Sequence, residues 1–537
     1  MTVDLRIENG RVVDGTGSLW FDGSVEVDDG TIVAVARGDE GGDGNGQEDA
    51  EYVVDADRSI VCPGFIDTHS HSDLELFADP TLEPKVRQGI TTEILGQDGF
   101  SMAPLGEDSD IEAWRRHLSG LAGTFDEDWN WRSVGEYLDA IEANGVGPNV
   151  ATLVGHGTVR YAVLGMADRA PDDGELIEMA DLVTSGLEEG AIGLSTGLVY
   201  PPQVNANTEE VRRLAARLGP SGRPFVAHIR NERRHIWRAL DEFLDIGAEE
   251  GIALHVSHFK LPGDYLHGQA DRAVTTLETA RERGIDVTAD QYPYLAGSTM
   301  LSNLLPPWVH ADGPEALLER LQDSETRERI RRDIEEWRVE DWENRGPYTG
   351  WENVVVTNVD SEANADIEGL SLAEIAERRG VDHVAAVCDV LVEEELSVSM
   401  ILHQLREDDV REILRSELVM VGTDGLFGGR PHPRVYGTYP RILGRYVRTE
   451  NLLSTEEAVR KATALPARTM GLDHKGLVRE GMDADLVVFD PVLVADRATY
   501  ESPRQAPAGI SHVIVDGVPV VDEGVLTGET PGEAIRA

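Results

Sequence analysis

Pro63-Gly64-Phe65-Ile66-Asp67-Thr68-His69-Ser70-His71 closes an apolar run with two histidines one residue apart. In an extended chain residues i and i+2 share a face, so His69 and His71 can ligate one metal ion. Alone, such a pair is more often two solvated loop histidines than a metal site. The runs that follow it decide the matter. With SIVCPGFIDTH as the first, GITTEILG, NVATLVGH, AIGLSTGL, PFVAHI, IALHVSH, DVTADQY and LVMVGTD make eight short strand candidates. Most precede an amphipathic helical stretch such as HIWRALDEFLDIGAEEG, and eight strand–helix repeats specify a (β/α)₈ barrel of the α/β class. An open parallel sheet is the alternative. Such a barrel needs about 250 residues. Residues 61–474 therefore leave room for an insertion, placed around 306–382, a stretch rich in Glu, Arg and Trp.

Both ends of the chain have a different grammar. DLRIENG, GSVEVDDG and TIVAVA at one end, and ADLVVFD, HVIVDGVPV and VDEGVL at the other, are short β-branched runs punctuated by Asn-Gly and Asp-Gly turns. Residues 1–60 and 475–537 are expected to pair into one small β-sandwich. Gly38 to Glu51, rich in glycine and acid, is expected to be a loop.

The polar residues that interrupt the central runs fall at strand C-terminal ends, where barrel enzymes carry their chemistry. His228 ends PFVAH and His258 ends LHVSH. A single such histidine is usually a hydrogen-bonded core residue. Four of them at three strand ends point to a catalytic metal, since imidazole is the commonest metal ligand and zinc accepts N and O donors. Asp424, after LVMVGT, adds a carboxylate that can move a proton beside that ion, which makes metal-assisted hydrolysis the expected chemistry. His156, ending the third run, is a further pocket candidate.

Taken together, these segments resemble a known family. Pro63 to His71 is similar to the opening motif of the amidohydrolase superfamily, whose fold is a metallo-barrel flanked by a small β-sandwich. GHGTVR (Gly155 to Arg160), GLSTGLVYPP (Gly193 to Pro202), SHFK (Ser257 to Lys260), DQYPY (Asp290 to Tyr294) and GTDG with RPHPRVYGTYPR (Gly422 to Arg441) resemble its N-acyl-D-amino-acid deacylase branch, the D-aminoacylases. The resemblance implies that His228 and His258 hold a tightly bound Zn²⁺, that His69 and His71 form a second, weaker site, and that Asp424 is the general acid/base. It also implies that Tyr200 polarises the scissile carbonyl, that Lys260, Tyr292 and Arg434 grip the substrate α-carboxylate, and that Ser298 lies near the same pocket. The implied partner is a small N-acyl-D-amino acid. Other readings are an L-Xaa-D-Xaa dipeptidase, a cyclic amidase, or a barrel kept as a binding module without catalysis.

The chain departs from the family at strand two. Gly96-Gln97-Asp98-Gly99 stands where the family has Gly-Asn-Cys-Gly, so Asp98 replaces a thiolate ligand. Oxygen can bind zinc at about 2.0–2.2 Å, and a harder donor also suits Mn²⁺. AIGLSTGL contains no lysine, whereas cyclic amidases of the superfamily carboxylate one there.

Charge speaks to habitat. The 537 residues carry 48 Lys+Arg against 99 Asp+Glu, a formal charge of −51. Phosphate backbones and anionic membranes repel such a surface, so neither nucleic acid nor a membrane is an expected partner. Lysine occurs four times, at Lys85, Lys260, Lys461 and Lys475, as expected of a halophilic protein whose self-repulsion molar salt screens. Two cysteines supply no disulfide framework, and MTVDLRIENG lacks the basic and apolar regions of a leader, so the expected location is the cytoplasm.

Overall fold

The computed structural model describes residues 2–38, 49–123 and 129–537; most of the loop expected over Gly38 to Glu51 lies outside them. The N-terminal strands are β1 (Val3–Val12), β2 (Phe21–Asp28), β3 (Thr31–Arg37), β4 (Ala50–Asp55) and β5 (Ile60–Pro63). Barrel strands follow as β6 (Phe65–Asp67), β7 (Ile90–Leu95), β8 (Asn149–Thr152), β9 (Val154–Gly155), β10 (Leu194–Gly197), β11 (Pro224–His228), β12 (Ala253–Val256) and β13 (Val287–Gln291). Next come β14 (Ala296–Met300), β15 (Val354–Asn358) and β16 (Ser399–His403), then β17 (Val419–Val421), and finally β18 (Leu486–Phe489), β19 (Ile510–Val515), β20 (Val518–Asp522) and β21 (Val525–Leu526).

The two ends meet in one nine-stranded sheet, ordered β21-β20-β19-β18-β5-β1-β2-β3 with β4 also on β1. The seam is antiparallel β5–β18, with Cys62 opposite Val487 and Val61 opposite Val488. Side chains alternate across it: Ile60, Cys62, Val487 and Phe489 join the cluster containing Tyr439 and Tyr446, whereas Val61, Leu486 and Val488 pack with Leu5, Ile7 and Val25. The sheet thus folds over its own apolar face and lays the other against the barrel.

The first expected run is two strands. Ile60–Pro63 pairs with β18 and Phe65–Asp67 with β7. The chain changes sheets at Gly64, where a Cβ would lie 2.0 Å from Thr91 Oγ1. Only glycine passes there.

Parallel pairings run β6-β7-β8 and β9-β10-β11-β12-β13-β17. β8 and β9 are one run bent at Leu153, pairing with β7 before the bend and β10 after it. Closure between β17 and β6 uses side chains and single backbone contacts: Thr423 N–H donates to Asp67 Oδ1 (2.7 Å) and Asp424 N–H to the His69 carbonyl (2.8 Å). Beneath them Lys85 Nζ reaches Asp67 (2.8 Å) and Glu93 (2.6 Å), so Glu93 belongs to a buried strut. The barrel floor is Ile66, Ile94, Ala151, Leu153 and Val226, packed on Ala467 and Met470.

Between β13 and β17 the chain builds an antiparallel sheet, β14-β16-β15, with its own apolar core. This excursion spans Ala296 to His403, wider than the expected 306–382, because its flanking strands return to roof the barrel mouth.

Candidate metal centre

Four imidazoles and two carboxylates converge above the barrel. Asp98 is at the middle: its Oδ1 faces His258 Nε2 at 3.4 Å, His69 Nε2 at 3.7 Å and His228 Nδ1 at 3.8 Å. Its Oδ2 faces His71 Nε2 at 3.8 Å. Asp424 Oδ1 closes the other side, 3.4 Å from His71 Nε2 and 3.7 Å from His69 Nε2. Two metal-sized groupings result, His69/Asp98/His258 and His69/His71/Asp424, each with its donor atoms within 4.8 Å of one another. A third, His228/Glu232/His258, lies beside them.

Backbone shape aims these groups. Asp98, His258 and Asp424 all have left-handed backbones, with φ of 55°, 35° and 49°. Non-glycine residues pay a conformational cost there, and such positions cluster at functional sites. Each turn is pinned: His258 N–H donates to Asp290 Oδ1 (2.7 Å), and Gln203 Nε2 donates to the Asp98 carbonyl (2.7 Å). A Cβ at Gly197 would meet that same carbonyl at 2.4 Å, which explains the glycine ending β10.

The donor set fits a divalent ion. His69 Nε2, His71 Nε2, His228 Nδ1 and Asp98 Oδ1 are buried and have no hydrogen-bond partner. Leaving so many polar atoms unpaired is costly, and a cation would satisfy them together. The opposite ring nitrogens of His228 (Nε2) and His258 (Nδ1) face Glu232, at 3.3 and 3.2 Å. A carboxylate behind ligating histidines fixes tautomer and ring orientation. Lys260 Nζ sits against Glu232 (2.6 Å) and His258 Nδ1 (2.9 Å).

Of the remaining expected residues, Tyr200, Lys260, Tyr292, Ser298 and Asp424 line the same pocket, whereas Arg434 stands behind Asp424 and does not line it. Tyr200 Oη is 3.0 Å from Thr299 Oγ1, and burial, then the Asp98 charge, push its hydroxyl up, so it remains a donor. Arg434 Nη1 lies 2.8 Å from Asp424 Oδ2, and its guanidinium sits 4.6 Å from the Tyr292 ring centroid. Burial opposes ionisation of Asp424, and Arg434 outweighs it, holding the carboxyl below its ordinary range.

His156 does not line the pocket. It starts the helix His156–Leu164 and bonds Thr196 (2.9 Å) and Glu210 (3.0 Å). Glu232 and Arg345 do line it and were not among the expected residues. Glu232 had a readable signal, four positions beyond His228 in HIRNE. Arg345 had none, lying deep in the inserted segment.

The sequence matches the amidohydrolase family over residues 52–521. It is 34% identical to the D-aminoacylase of Alcaligenes xylosoxydans xylosoxydans, covering 99% of this chain and 97% of that protein. It is 35% identical to the N-acyl-D-glutamate deacylase of the same organism, covering 99% and 96%. Among solved structures, the N-acyl-D-glutamate deacylase of Bordetella Bronchiseptica, complexed with zinc and a phosphonate mimic of the tetrahedral intermediate, superposes with a TM-score of 0.83 at 33% identity, covering both chains completely.

Proposed function

The chain belongs to the amidohydrolase family, and within it we propose that this protein is a metal-dependent hydrolase cleaving N-acyl-D-amino acids into a carboxylate and a D-amino acid. The observation that carries this reading is the convergence of His69, His71, Asp98, His228, His258 and Asp424 with unpartnered donor atoms. His228, His258 and Asp98 would hold the tighter ion, and His69 with His71 a weaker one. When bound, the ion polarises the acyl carbonyl and acidifies water. Zn²⁺ is the first choice; the Asp98 oxygen, in place of sulfur, also admits Mn²⁺.

The protein's own groups do the rest. Asp424 takes a proton from the attacking water and returns it to the departing nitrogen. Arg434 keeps its carboxyl ionised for the first transfer. Tyr200 donates to the carbonyl oxygen as negative charge develops there. Lys260, Tyr292 and Arg434, with Ser298 alongside, fix the α-carboxylate. Chirality is then read by where the side chain can point. The lack of a lysine in β10 disfavours a carboxylated-lysine bridge of the cyclic-amidase type.

The burial of lysine supports the halophilic reading of the surface. All four lysine side chains are at most 8% exposed, leaving arginine as the surface lysine-substitute. No described helix is long and apolar enough to cross a membrane.

Amine release from paired N-acetyl-D- and N-acetyl-L-amino acids, in molar KCl with Zn²⁺ or Mn²⁺, tests the activity. Turnover confined to the D series is expected. None on either series, from folded protein with metal bound, would reject deacylation.

A further inference from the structure

His69 belongs to both metal-sized groupings, His69/Asp98/His258 and His69/His71/Asp424, so the aim of its ring bears on each. Its Nε2 faces Asp98 and Asp424, and its Nδ1 has no hydrogen-bond partner. His228 and His258 each have Glu232 behind them. For His69 the carboxylate on that side is Asp290, whose Oδ2 lies 3.9 Å from Nδ1. Asp290 is 1% exposed, belongs to none of the metal-sized groupings and does not line the pocket. It stands outside the ligand set, and the proposed reaction leaves it without a task.

Asp290 is held from two sides. Its Oδ1 accepts the His258 N–H at 2.7 Å, and its Oδ2 meets His255 Nε2 at 2.8 Å. A carboxylate oxygen only accepts, so His255 donates there through Nε2, while Thr288 Oγ1 meets its Nδ1 at 2.8 Å. His255 stands in β12, opposite Thr288 of β13, and is fully buried. An apolar side chain would fill a barrel core at lower cost, since a buried imidazole must find a partner for each nitrogen. What the imidazole adds is a fixed carboxylate. With Oδ2 anchored by His255 and Oδ1 by the His258 amide, Asp290 cannot turn away from His69. Gly422 leaves the two facing each other, because a Cβ there would lie 3.1 Å from His69 Cβ and 3.2 Å from Asp290 Oδ1.

We propose that Asp290 is the outer carboxylate of His69, and that His255 is the positioning residue that holds it there. His69 Nδ1–H donates to Asp290 while Nε2 serves the metal site, which fixes the tautomer and the ring plane and makes the ligand more basic. His69 is assigned to the weaker ion, whereas His228, His258 and Asp98 are assigned to the tighter one. The pair therefore acts on the weaker site. This rests on the metal assignment proposed above and is independent of the substrate.

The experiment titrates the full chain, stripped of metal, with Zn²⁺ and with Mn²⁺ against a chromophoric chelator, with folding followed by circular dichroism. Asp290→Asn keeps an oxygen for the His258 N–H and removes the charge that faces His69. It is expected to weaken the second ion by roughly 10- to 100-fold and to leave the first unchanged. His255→Leu should show the same selective loss, and His255→Gln, whose amide can donate to Asp290, should recover part of it. A merely structural pair would weaken both ions together or neither, and either result in folded Asp290→Asn would overturn the proposal. His255→Gln no better than His255→Leu would overturn the role of His255. A wild type that takes up a single ion would overturn the proposal and leave the deacylase reading standing. A wild type that takes up none would overturn both.

Discussion

Asp98 and Asp424 are both buried carboxylates with left-handed backbones, yet their surroundings prescribe different work. Asp98 has three imidazole nitrogens around one oxygen and, among the described residues, no Lys or Arg ion pair, the setting of a ligand. Asp424 has one oxygen toward His71 and the other held by Arg434, the setting of an acid/base that is steered as well as charged. Asp424→Asn is expected to retain bound metal while turnover falls by about 10²–10⁴, the worth of one proton-transfer group. Metal analysis alongside kinetics checks this, and loss of metal would make Asp424 a primary ligand instead. Asp98→Cys should keep or raise zinc affinity and lower the affinity for Mn²⁺, because sulfur is the softer donor. Competitive metal titration decides it; unchanged affinities would put Asp98 outside the coordination sphere.

At the scale of elements, a barrel connection and the insertion each bury a histidine. His117, on the helix Ile111–Ala122, bonds the Pro201 carbonyl at 2.9 Å and stacks on Trp114; His310 ends the short turn Pro307–His310 nearby. Burial depresses both, His117 to about 4 and His310 to about 3. The folded state therefore binds fewer protons than the unfolded chain once pH drops below the ordinary histidine value near ~6.5. Stability from these sites is present above ~6.5 and is lost as pH falls toward 4 and then 3. Replacing both with glutamine should flatten the dependence of unfolding free energy on pH between 6.5 and 4, measured by urea titration. An unchanged slope would place the acid sensitivity elsewhere.

For the whole molecule, the charge of −51 and the placement of lysine belong to one account. Lys85 braces β6 and β7, Lys260 faces Glu232, Lys461 reaches the Ser416 and Val419 carbonyls, and Lys475 meets Asp485. Lysine survives only where a flexible point donor is used internally. Like charges crowd the remaining surface, and a Debye length of roughly 3 Å at 1 M salt would remove most of that repulsion. The unfolding temperature should rise between 0.1 and 2 M KCl, followed by circular dichroism. A flat or falling value would reject adaptation to salt.

The strand-end histidines, the terminal aspartate and the β grammar of both chain ends were legible because each is a local pattern. Period-two apolar runs interrupted by metal-ligand residues can be read without knowing what they touch. Gly64 was not legible as a border between two sheets, since nothing within SIVCPGFIDTH signals the Thr91 side chain pressed against it. Nor was the exclusion of His156, whose ring is claimed by Glu210 from a helix fifty-four positions away. Glu232 stood in plain sight after His228, but its tie to His258 exists only because β11 and β12 are neighbours. Arg345 reaches the pocket across more than fifty residues from β13, folded back over the barrel mouth. Local sequence sets which chemical groups stand at each strand end. Which of them share a counterion, a void or a metal-sized space is set by long-range packing, because those energies depend on distance in space and not along the chain.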